Sequence, residues 1–593
     1  MLSTSTKGWR SRQPLLLLLL WTVLGASLRF ANLEGKPPWI DEFATLVLSL
    51  GNSFKSIEID RVISFQDLLK PLIPHASATV RDVVNRVFIE DHHPPTYFTL
   101  AHLWMQLFPT DGGYVNLWAA RALPALFGII TIPVIYICSY TIFRSKLIAN
   151  FTAAMLALSP YGVFISQEAR HYSLAILWVT ISITCLAIVC QYLARQQKVP
   201  ISIIATWIII NNLGIATHYF FSLALASEVL ALGVFGIWQV RQSETTSYLK
   251  VFKNFVQQLY LAILGTTVGV VIWFWLLVRS YDSTMTEWIK NAPHQLLEVF
   301  NPLFQLLGVF FPMMSLLLVE VTELPKFMSI DFNLPIVILS AVLMTIYFLW
   351  VLPILKRSIV LQWQQPQIQA QMMAILGVTA SAIALYLILP WLTGMDITRG
   401  ARYHFVYFPG VMMTIGLGLA GCWETKSALT KFASGKQVVS IVLVMGLVSS
   451  SIVSANYGYH KYYRPEQLIP MIRQSAPTPV LIATTHNSLV NVGAIMGLAW
   501  EMRRTDKIKQ SAQTKFLFAH QRQAICEQNC PSTVILRQTV DRIDTPTDIW
   551  LVNFRAPVNL PDTCNADRNF TRGIYGYDYK LYHCQSIKDF GRL

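Results

Sequence analysis

The chain has 593 residues, of which 54% are hydrophobic and only 13% are charged, and its formal net charge is +14. Soluble globular domains carry roughly 25% charged residues, so this composition excludes an ordinary soluble protein. The positive charge does not indicate nucleic-acid binding, because Lys and Arg cluster in short loops between apolar segments, as membrane topology requires.

The N-terminal segment combines a basic start at Lys7, Arg10 and Arg12 with an apolar run from Pro14 to about Leu28. A secretory signal has a similar pattern, but no convincing small-residue cleavage site precedes further hydrophobic chain. The segment is therefore predicted to be a retained first membrane span.

Apolar segments of about 20 residues, long enough to cross a bilayer, recur as far as residue 455. Basic loops at 143–146, 195–198, 241–253, 356–357 and 426–436 are predicted to be cytoplasmic. The spans that satisfy this rule lie near 14–30, 121–142, 147–166, 172–194, 201–217, 219–239, 259–278, 334–355, 372–391, 404–421 and 437–455. Two more apolar stretches, 95–109 and 302–319, do not fit this topology as single crossings. They are expected to be interfacial or re-entrant helices, or spans that were paired with the wrong neighbouring crossing. The prediction is a polytopic α-helical membrane protein of about 11–13 transmembrane helices.

Two domains are predicted, with residues 1–455 as the transmembrane domain and 31–118 as its first outer loop. Residues 456–593 are more polar and contain short apolar runs typical of buried strands, which predicts a small α/β domain outside the membrane. Four cysteines lie in or next to spans: Cys138, Cys185, Cys190 and Cys422. The other four lie in the C-terminal domain and favour two disulfides with three possible pairings over a metal site: Cys526, Cys530, Cys564 and Cys584.

Two adjacent carboxylates, Asp41 and Glu42, follow the first span by about a dozen residues. Carboxylates are costly to leave near lipid, so this pair is expected to face a polar cavity. Glu228 is an acid that lies well inside a predicted span. A functional role for Glu228 and a pairing with a polar group on a neighbouring helix are both open.

The motif Asp91-His92-His93-Pro94-Pro95 places imidazoles where the two prolines allow a helix to begin. An imidazole beside a helix N-terminus can donate a hydrogen bond to an anion. Two alternatives remain open: Asp91 simply caps the helix, or these side chains join the Asp41 pair as metal ligands.

Arginines on the predicted outer side run against the positive-inside bias, and each needs a local reason: Arg121, Arg170, Arg399 and Arg402. The guanidinium group binds phosphate oxygens through two parallel hydrogen bonds, so several arginines around one mouth of the bundle favour phosphate binding. The alternative is pairing with outer acids such as Glu168, or with lipid headgroups.

Four motifs in order resemble a known family: Trp39 to Glu42, His93 to Phe98, Arg121 to Gly128, and Ser159-Pro160 followed by Ser166 to Ser173. Together they resemble the C-type (GT-C) glycosyltransferases of the protein O-mannosyltransferase superfamily, glycosyltransferase family 39. That group includes the lipid A aminoarabinose transferases. The resemblance covers residues 14–195, is weaker over 402–409, and does not extend to the C-terminal domain. No MIR-type repeats are evident in the sequence, which favours a bacterial member.

The resemblance implies a sugar donor linked to polyprenyl phosphate, which enters from the bilayer and reacts on the outer face. Asp41 would be the catalytic base, and Glu42 would orient the acceptor or the sugar. The donor phosphate would contact four residues, namely His93, Arg121, Arg170 and Arg402. Acceptor or sugar contacts would come from Asp91, His92, Glu168 and Tyr172. Transfer would invert the anomeric carbon, and neither a metal nor another cofactor would be required.

The expected partners are the lipid-linked donor, membrane lipids, and an acceptor that is a protein, a lipid or a glycan. The expected location is the plasma (inner) membrane, with the N-terminus cytoplasmic and the C-terminal domain extracytoplasmic. Two other classes stay open. A non-enzymatic flippase of lipid-linked sugars or a small-molecule transporter would place ionisable groups on both faces or at the midplane. A polysaccharide polymerase or ligase would carry its chemistry in a late outer loop.

Overall fold

The structure of the chain is a computed structural model. It describes residues 13–242, 248–280, 288–290, 298–316, 333–425, 434–459, 461–474, 479–505, 513–522, 526, 530–574 and 576–585. Parts of two predicted basic loops, 243–247 and 426–433, lie outside the described residues, as does the end of one apolar stretch at 317–319.

The helices of the described residues are numbered in chain order. They are α1 (Gln13–Phe30), α2 (Ile40–Ser49), α3 (Phe65–Leu69), α4 (Val80–Glu90), α5 (Thr96–Met105), α6 (Leu117–Phe143), α7 (Lys146–Ala157), α8 (Pro160–Ser166), α9 (Tyr172–Ala194), α10 (Ile201–Thr217), α11 (Phe221–Gln242), α12 (Tyr248–Ser280), α13 (Asn301–Phe310), α14 (Asn333–Trp363), α15 (Gln369–Thr393), α16 (Phe408–Glu424), α17 (Gly435–Ser454), α18 (Pro465–Gln474), α19 (Leu489–Thr505) and α20 (Pro531–Val540). The strands are β1 (Val62–Ser64), β2 (Val480–His486), β3 (Thr514–His520), β4 (Thr547–Val552), β5 (Cys564–Ile574) and β6 (Tyr577–Cys584).

The membrane bundle confirms a polytopic helical protein. Within the described ranges, 8 helices are long and apolar enough to cross a membrane, and the bent pair α7 and α8 would make 9. Each of the predicted spans falls on a helix or on this pair, but α10 and α16 have only 17 residues each. The two unassigned apolar stretches form the short helices α5 and α13, of 10 residues each. Within the part of the chain that the structure describes, length and composition thus identify 8 or 9 crossings, beside the 11–13 that the sequence predicts for the whole chain.

The bend between α7 and α8 shapes the site end of the bundle. The two helices meet at 57° across Leu158 and Ser159, and Pro160 opens α8. Proline cannot continue the hydrogen-bond ladder of α7, but it suits the first position of a new helix. The Ser159 hydroxyl accepts a hydrogen bond from the Gly162 N–H and donates one to the Met313 carbonyl, at 2.6 Å. This break directs the chain after Ser166 towards the end of α1.

The first loop and the C-terminal residues share one six-stranded sheet with the order β1-β3-β2-β4-β6-β5. The central strands β3, β2 and β4 are parallel, whereas β1, β6 and β5 pair antiparallel with their neighbours. Because β1 belongs to the first loop, that loop is joined to the α/β domain by backbone hydrogen bonds. Helix α19 packs on α2, where a Cβ added at Gly493 would lie 3.1 Å from the Ile40 side chain.

The C-terminal cysteines form disulfides and the cysteines of the helical bundle are free, as the sequence predicts. Disulfides join Cys526 to Cys530 and Cys564 to Cys584, which selects one of the three pairings. The four remaining cysteines are free and buried in the helical bundle. Small buried thiols of this kind act as core residues.

Candidate active site

Helix α2 presents the two adjacent acids from its first turn. Trp39 precedes the helix in an extended conformation, and Asp41 and Glu42 follow at positions where a negative charge faces the positive end of the helix dipole. The Trp39 N–H donates to Glu42 Oε2 at 3.4 Å. The two carboxylates then point to different surroundings, and this difference separates their roles.

Glu42 is buried and fully engaged. Its Oε1 accepts from Arg121 Nε and from the Ala169 N–H, each at 2.8 Å, and its Oε2 accepts from Arg121 Nη2 at 2.7 Å. Burial alone would raise the pKa of Glu42, but the Arg121 charge and these hydrogen bonds hold that pKa below its ordinary value. Glu42 is therefore an ionised anchor that joins α2, α6 and the α8–α9 connection.

Arg121 directs all its donors to protein groups. Besides Glu42, its guanidinium donates to the carbonyls of Leu33 and Lys36 at 2.8 Å, and to that of Pro37 at 3.4 Å. An arginine has five N–H donors, and these contacts occupy them all. The Arg121 side chain is 3% exposed. The structure thus places Arg121 in a brace with Glu42, away from the open position that the predicted phosphate contact requires.

Asp41, in contrast, is accessible. Its side chain is 25% exposed, and Oδ2 lies 3.2 Å from Nε of Arg402. The Arg402 guanidinium lies over three aromatic rings, with centroid distances of 4.7 Å to Trp39, 4.9 Å to Trp288 and 4.8 Å to Tyr403. Burial opposes the charged form, but Asp41 and the neighbouring groups keep the pKa of Arg402 above its ordinary value. An accessible carboxylate and a positioned cation therefore meet at one point.

Arg170 links the Asp41 backbone to the histidine motif. Its Nη1 donates to the Asp41 carbonyl at 2.9 Å and to the Thr45 hydroxyl at 3.1 Å, and its Nη2 lies 3.4 Å from Nε2 of His93. Nε of Arg170 is buried and has no hydrogen-bond partner among the described residues. One donor of this buried arginine thus remains available for a ligand or a water molecule.

Asp91 orients His93 and does not cap α5, whose N-terminal cap is Pro95 without a side-chain hydrogen bond. Its Oδ1 accepts from the backbone N–H groups of His92 and His93, at 2.6 and 3.1 Å, and lies 2.5 Å from Nδ1 of His93. Burial opposes ionisation of Asp91, but the His93 ring and these hydrogen bonds hold the pKa of Asp91 well below its ordinary value. Because an ionised carboxylate only accepts, Nδ1 of His93 carries the hydrogen, and Nε2 faces Arg170.

Three imidazoles form a compact cluster beside Arg170. Ring nitrogens of His93, His171 and His218 lie within 4.8 Å of one another. Three imidazoles can bind a divalent transition metal, and the Asp91–His93 contact resembles the outer hydrogen bond of such sites. However, the Phe220 N–H donates to Nδ1 of His218 at 2.9 Å, so Nε2 of the neutral ring carries a hydrogen and cannot bind a metal. With Arg170 adjacent, the cluster fits an oxygen anion better than a cation.

Glu168 pairs with a residue that sequence reasoning did not identify. Its buried carboxylate forms an ion pair with Lys461, whose Nζ lies 4.0 Å from the Trp39 ring centroid and 4.5 Å from that of Phe164. Burial is the main cause that raises the pKa of Glu168 and lowers that of Lys461. A small cavity adjoins this pair and is lined by Trp39, Phe164 and both ion pairs, among others.

The site residues predicted from the sequence thus form three groups: a connected cluster, a buried brace and a single residue at the cavity. Asp41, Arg402, Arg170, His93 and Asp91 are connected by the contacts described above. Tyr172 lies beside them, with its ring centroid 5.9 Å from the Arg170 guanidinium carbon. His92 is positioned through its backbone N–H on Asp91. Glu42 and Arg121 form the buried brace, and Glu168 faces the cavity.

Several site residues had no usable signal in the sequence. Lys461 and Trp288 reach the site from segments far along the chain from α2, and no local spacing predicts such an encounter. His218, between α10 and α11, belongs to none of the four motifs. Within the bundle, Glu228 accepts from Ser182 Oγ at 2.7 Å and from Trp207 Nε1 at 3.2 Å, so it has polar partners on neighbouring helices.

Comparison with known proteins supports the resemblance found in the motifs. Residues 85–284 match the model of the dolichyl-phosphate-mannose-protein mannosyltransferase family. No curated protein matches the chain. The family match indicates a membrane glycosyltransferase. It covers the segment that contains His93, Arg121 and Arg170, and the chain is similar to that family over this segment.

Two solved proteins show more distant structural likeness. ArnT from Cupriavidus metallidurans, bound to undecaprenyl phosphate, aligns with 96% of this chain and 98% of its own, at 11% identity and a TM-score of 0.45. Its apo state aligns similarly, with a TM-score of 0.46. The S. cerevisiae protein O-mannosyltransferase Pmt1-Pmt2 complex, bound to the sugar donor, aligns with 45% of this chain and 34% of its own, at 13% identity and a TM-score of 0.31.

Proposed function

We propose that the protein transfers a sugar from a polyprenyl-phosphate donor to a hydroxyl group of an acceptor, with inversion at the anomeric carbon. The observation that carries this proposal is the accessible Asp41 carboxylate, which lies 3.2 Å from Arg402 while Glu42 next to it is locked in a brace. The description of the matched family names dolichyl-phosphate-mannose, a donor of this chemical class.

Asp41 is the general base in this mechanism. It accepts the proton of the acceptor hydroxyl while the acceptor oxygen forms a bond to the anomeric carbon. The bond from that carbon to the phosphate oxygen breaks, and its electron pair leaves with the polyprenyl phosphate. Because one displacement occurs, the configuration inverts.

Arg402 connects donor binding to activation of the base. Arg402 pairs with Asp41 in the structure. A donor phosphate competes for the same guanidinium, and its binding leaves the Asp41 carboxylate free to accept a proton. Arg170 and His93 lie next to this position and supply further donors for the departing phosphate. Arginine is suited to this role because its planar group contacts two phosphate oxygens at once.

Glu42 and Arg121 have a positioning role in this proposal. Their ion pair and the Ala169 N–H fix the first turn of α2, and Arg170 fixes the same turn through the Asp41 carbonyl. The carboxylate of Asp41 is thereby held on a rigid helix end. The expectation from the sequence differs, since there Glu42 orients the acceptor or the sugar and Arg121 contacts the donor phosphate.

The site and the C-terminal domain are proposed to face the extracytoplasmic side of the plasma membrane. The support is the distribution of charge: the short basic loops 144–146 and 195–198 join the helix ends opposite the site. The positive-inside rule places such loops in the cytoplasm, together with the N-terminus.

The test of the mechanism is Asp41→Asn, which keeps the size of the side chain but removes the base. We expect release of polyprenyl phosphate from a polyprenyl-phosphate-hexose probe to fall by about two to four orders of magnitude. Glu58→Gln is the matched control, because Glu58 lies on the same loop with a side chain that is 64% exposed. Near-normal turnover by a folded Asp41→Asn protein would remove Asp41 from the mechanism.

A further inference from the structure

We propose that Lys461 is a positioning residue for the transfer reaction: it holds Trp39 in place, and Trp39 in turn holds Arg402 at the position of the donor phosphate. Lys461 lies in the linker between α17 and α18, residues 455–464. The inference rests on the proposed function, because it takes the contact between Arg402 and phosphate from there. It adds a residue outside the four motifs and makes the attachment of the C-terminal domain part of the site.

Lys461 is unusual for a lysine in a linker because its ammonium group is enclosed. It pairs with the buried Glu168 carboxylate, and its side chain is 19% exposed. The ammonium lies 4.0 Å from the ring centroid of Trp39 and 4.5 Å from that of Phe164. Burial of a charge is costly unless the charge is paired, and joining two domains requires no such burial. The enclosed cation therefore indicates a role besides connection.

On the bundle side, the backbone next to Lys461 is held against the site. Lys36 Nζ donates to the Gly458 carbonyl at 3.0 Å. The Tyr459 ring stacks on that of Phe164, with a centroid distance of 4.2 Å and an angle of 7° between the planes. Tyr459 has a φ of 50°, in the left-handed region that few residues other than glycine adopt. The bend of the linker is thus stabilised by contacts with the residues around the site.

On the other side, the linker contacts the C-terminal domain. The Tyr463 ring lies 5.2 Å from the ring of Tyr577 at the start of β6, and the Tyr577 hydroxyl donates to the Ala494 carbonyl of α19 at 3.1 Å. Helix α19 packs on α2, the helix that presents Asp41. The position of Lys461 is therefore set by the bundle and by the C-terminal domain together.

Trp39 connects Lys461 to Arg402. It is the residue before α2 and lies two positions before Asp41. Its ring centroid lies 4.0 Å from the Lys461 ammonium and 4.7 Å from the Arg402 guanidinium carbon. The indole Nε1 is buried and has no hydrogen-bond partner among the described residues. Because no such bond fixes the ring, its orientation depends on the two cations and on packing.

Arg402 depends on this ring for its own orientation. Its guanidinium also contacts Tyr403, the next residue of the chain, and Trp288, which is 41% exposed. Trp39 is the ring that belongs to the same helix start as Asp41. A planar group contacts two phosphate oxygens at once only when it is held at the correct angle. A displaced Trp39 ring therefore weakens the phosphate contact.

The test removes the cation from Trp39 and measures the affinity of the full-length protein for polyprenyl phosphate. The variant is Lys461→Met combined with Glu168→Gln, which removes both charges, keeps the net charge and leaves no buried ion unpaired. We expect affinity to fall about three- to tenfold, because a cation over an aromatic ring contributes a free energy of that order. In the Arg402→Lys background the same pair of substitutions should change affinity less than about twofold, since the planar group that Trp39 positions is already absent.

A contact of the same kind elsewhere provides the matched control. Arg503 pairs with Asp111 at 2.9 Å and lies over the rings of Tyr114 and Trp500, so it also joins the first loop to the C-terminal domain. Asp111→Asn combined with Arg503→Met should leave affinity within about twofold of the wild type. The control separates the contact at Trp39 from a general weakening of the domain contact.

A second variant is used if the double variant does not fold. Lys461→Gln alone keeps an amide N–H that can donate to Glu168, whereas the cation over Trp39 is lost. Its affinity is measured in the same two backgrounds, with and without Arg402→Lys. An effect of overall charge would persist in Arg402→Lys, because that substitution keeps the charge, whereas a positioning effect would disappear.

Three results would overturn the inference: no loss of affinity in the wild-type background, an equal loss in the Arg402→Lys background, or the same loss in the Arg503 control. An equal loss in both backgrounds would mean that Lys461 acts on the fold or through its charge, and not through Arg402. Failure of the proposed function has a different signature. Unchanged affinity in Arg402→Lys alone would refute the phosphate contact, and the positioning role would fall with it.

Discussion

Arg121 and Arg402 provide a matched pair of substitutions that separates a structural arginine from a ligand-binding one. Each is changed to Lys, which keeps the charge but replaces the planar five-donor group with an ammonium of three donors. In Arg121→Lys, the five hydrogen bonds to Glu42, Leu33, Lys36 and Pro37 cannot all be kept.

The expected magnitude follows from the burial of this brace. At least two acceptors lose their donor, and each buried unsatisfied group costs about 1–3 kcal/mol. The side chains of Arg121 and Glu42 are 3% and 1% exposed, so water cannot replace the missing donors. We expect Arg121→Lys to lower the free energy of unfolding by about 2–6 kcal/mol, and to lower Tm clearly in detergent.

Arg402→Lys should behave in the opposite way. Its side chain is 17% exposed, and its contacts are the Asp41 carboxylate and three aromatic rings, which an ammonium can also meet. Stability should therefore change little. Affinity for polyprenyl phosphate should drop about tenfold, because the paired hydrogen bonds to two phosphate oxygens are lost.

The assay measures Tm and polyprenyl-phosphate affinity on the same purified samples of both variants. An unchanged Tm with weakened phosphate affinity in Arg121→Lys would place that residue in the phosphate site, as its motif first indicated. A lowered Tm with unchanged affinity in Arg402→Lys would assign Arg402 to the scaffold and refute the proposed phosphate contact.

Three further outcomes are expected. Chelators of divalent metals should leave turnover unchanged, because Nε2 of neutral His218 carries a hydrogen and Arg170 lies beside the histidine cluster. Inhibition by a chelator that added zinc reverses would refute this. A single cysteine at Ser77 should react with an impermeant thiol reagent in intact cells, whereas one at Gln197 should react only after permeabilisation; the reverse pattern would invert the topology. Asp548 and Asp567 outweigh burial and raise the pKa of His583, so this contact stabilises the fold below about pH 6.5 and its contribution is lost as pH rises through the higher folded pKa. Wild type should therefore exceed His583→Gln in Tm at pH 6 by more than at pH 9, and a constant difference would refute the assignment.

Local sequence determined the class of the protein. Apolar runs of about 20 residues can form only helices in a bilayer, because every backbone polar group must find a partner within the segment. The predicted spans accordingly fall on helices, and Asp41, His93 and Arg170 of the four motifs lie together in the candidate site. Cysteine content was equally informative, since four cysteines in a polar C-terminal region yield two disulfides.

Tertiary structure decided which of two adjacent acids is free. Asp41 and Glu42 have the same chemistry and neighbouring positions, but successive residues of a helix point in different directions, towards Arg402 and towards Arg121. Lys461 meets Glu168 although it lies 293 positions further along the chain, and β1 of the first loop pairs with β3 of the C-terminal domain. Such encounters depend on how the helices and the sheet pack together, and local spacing and periodicity carry no information about them.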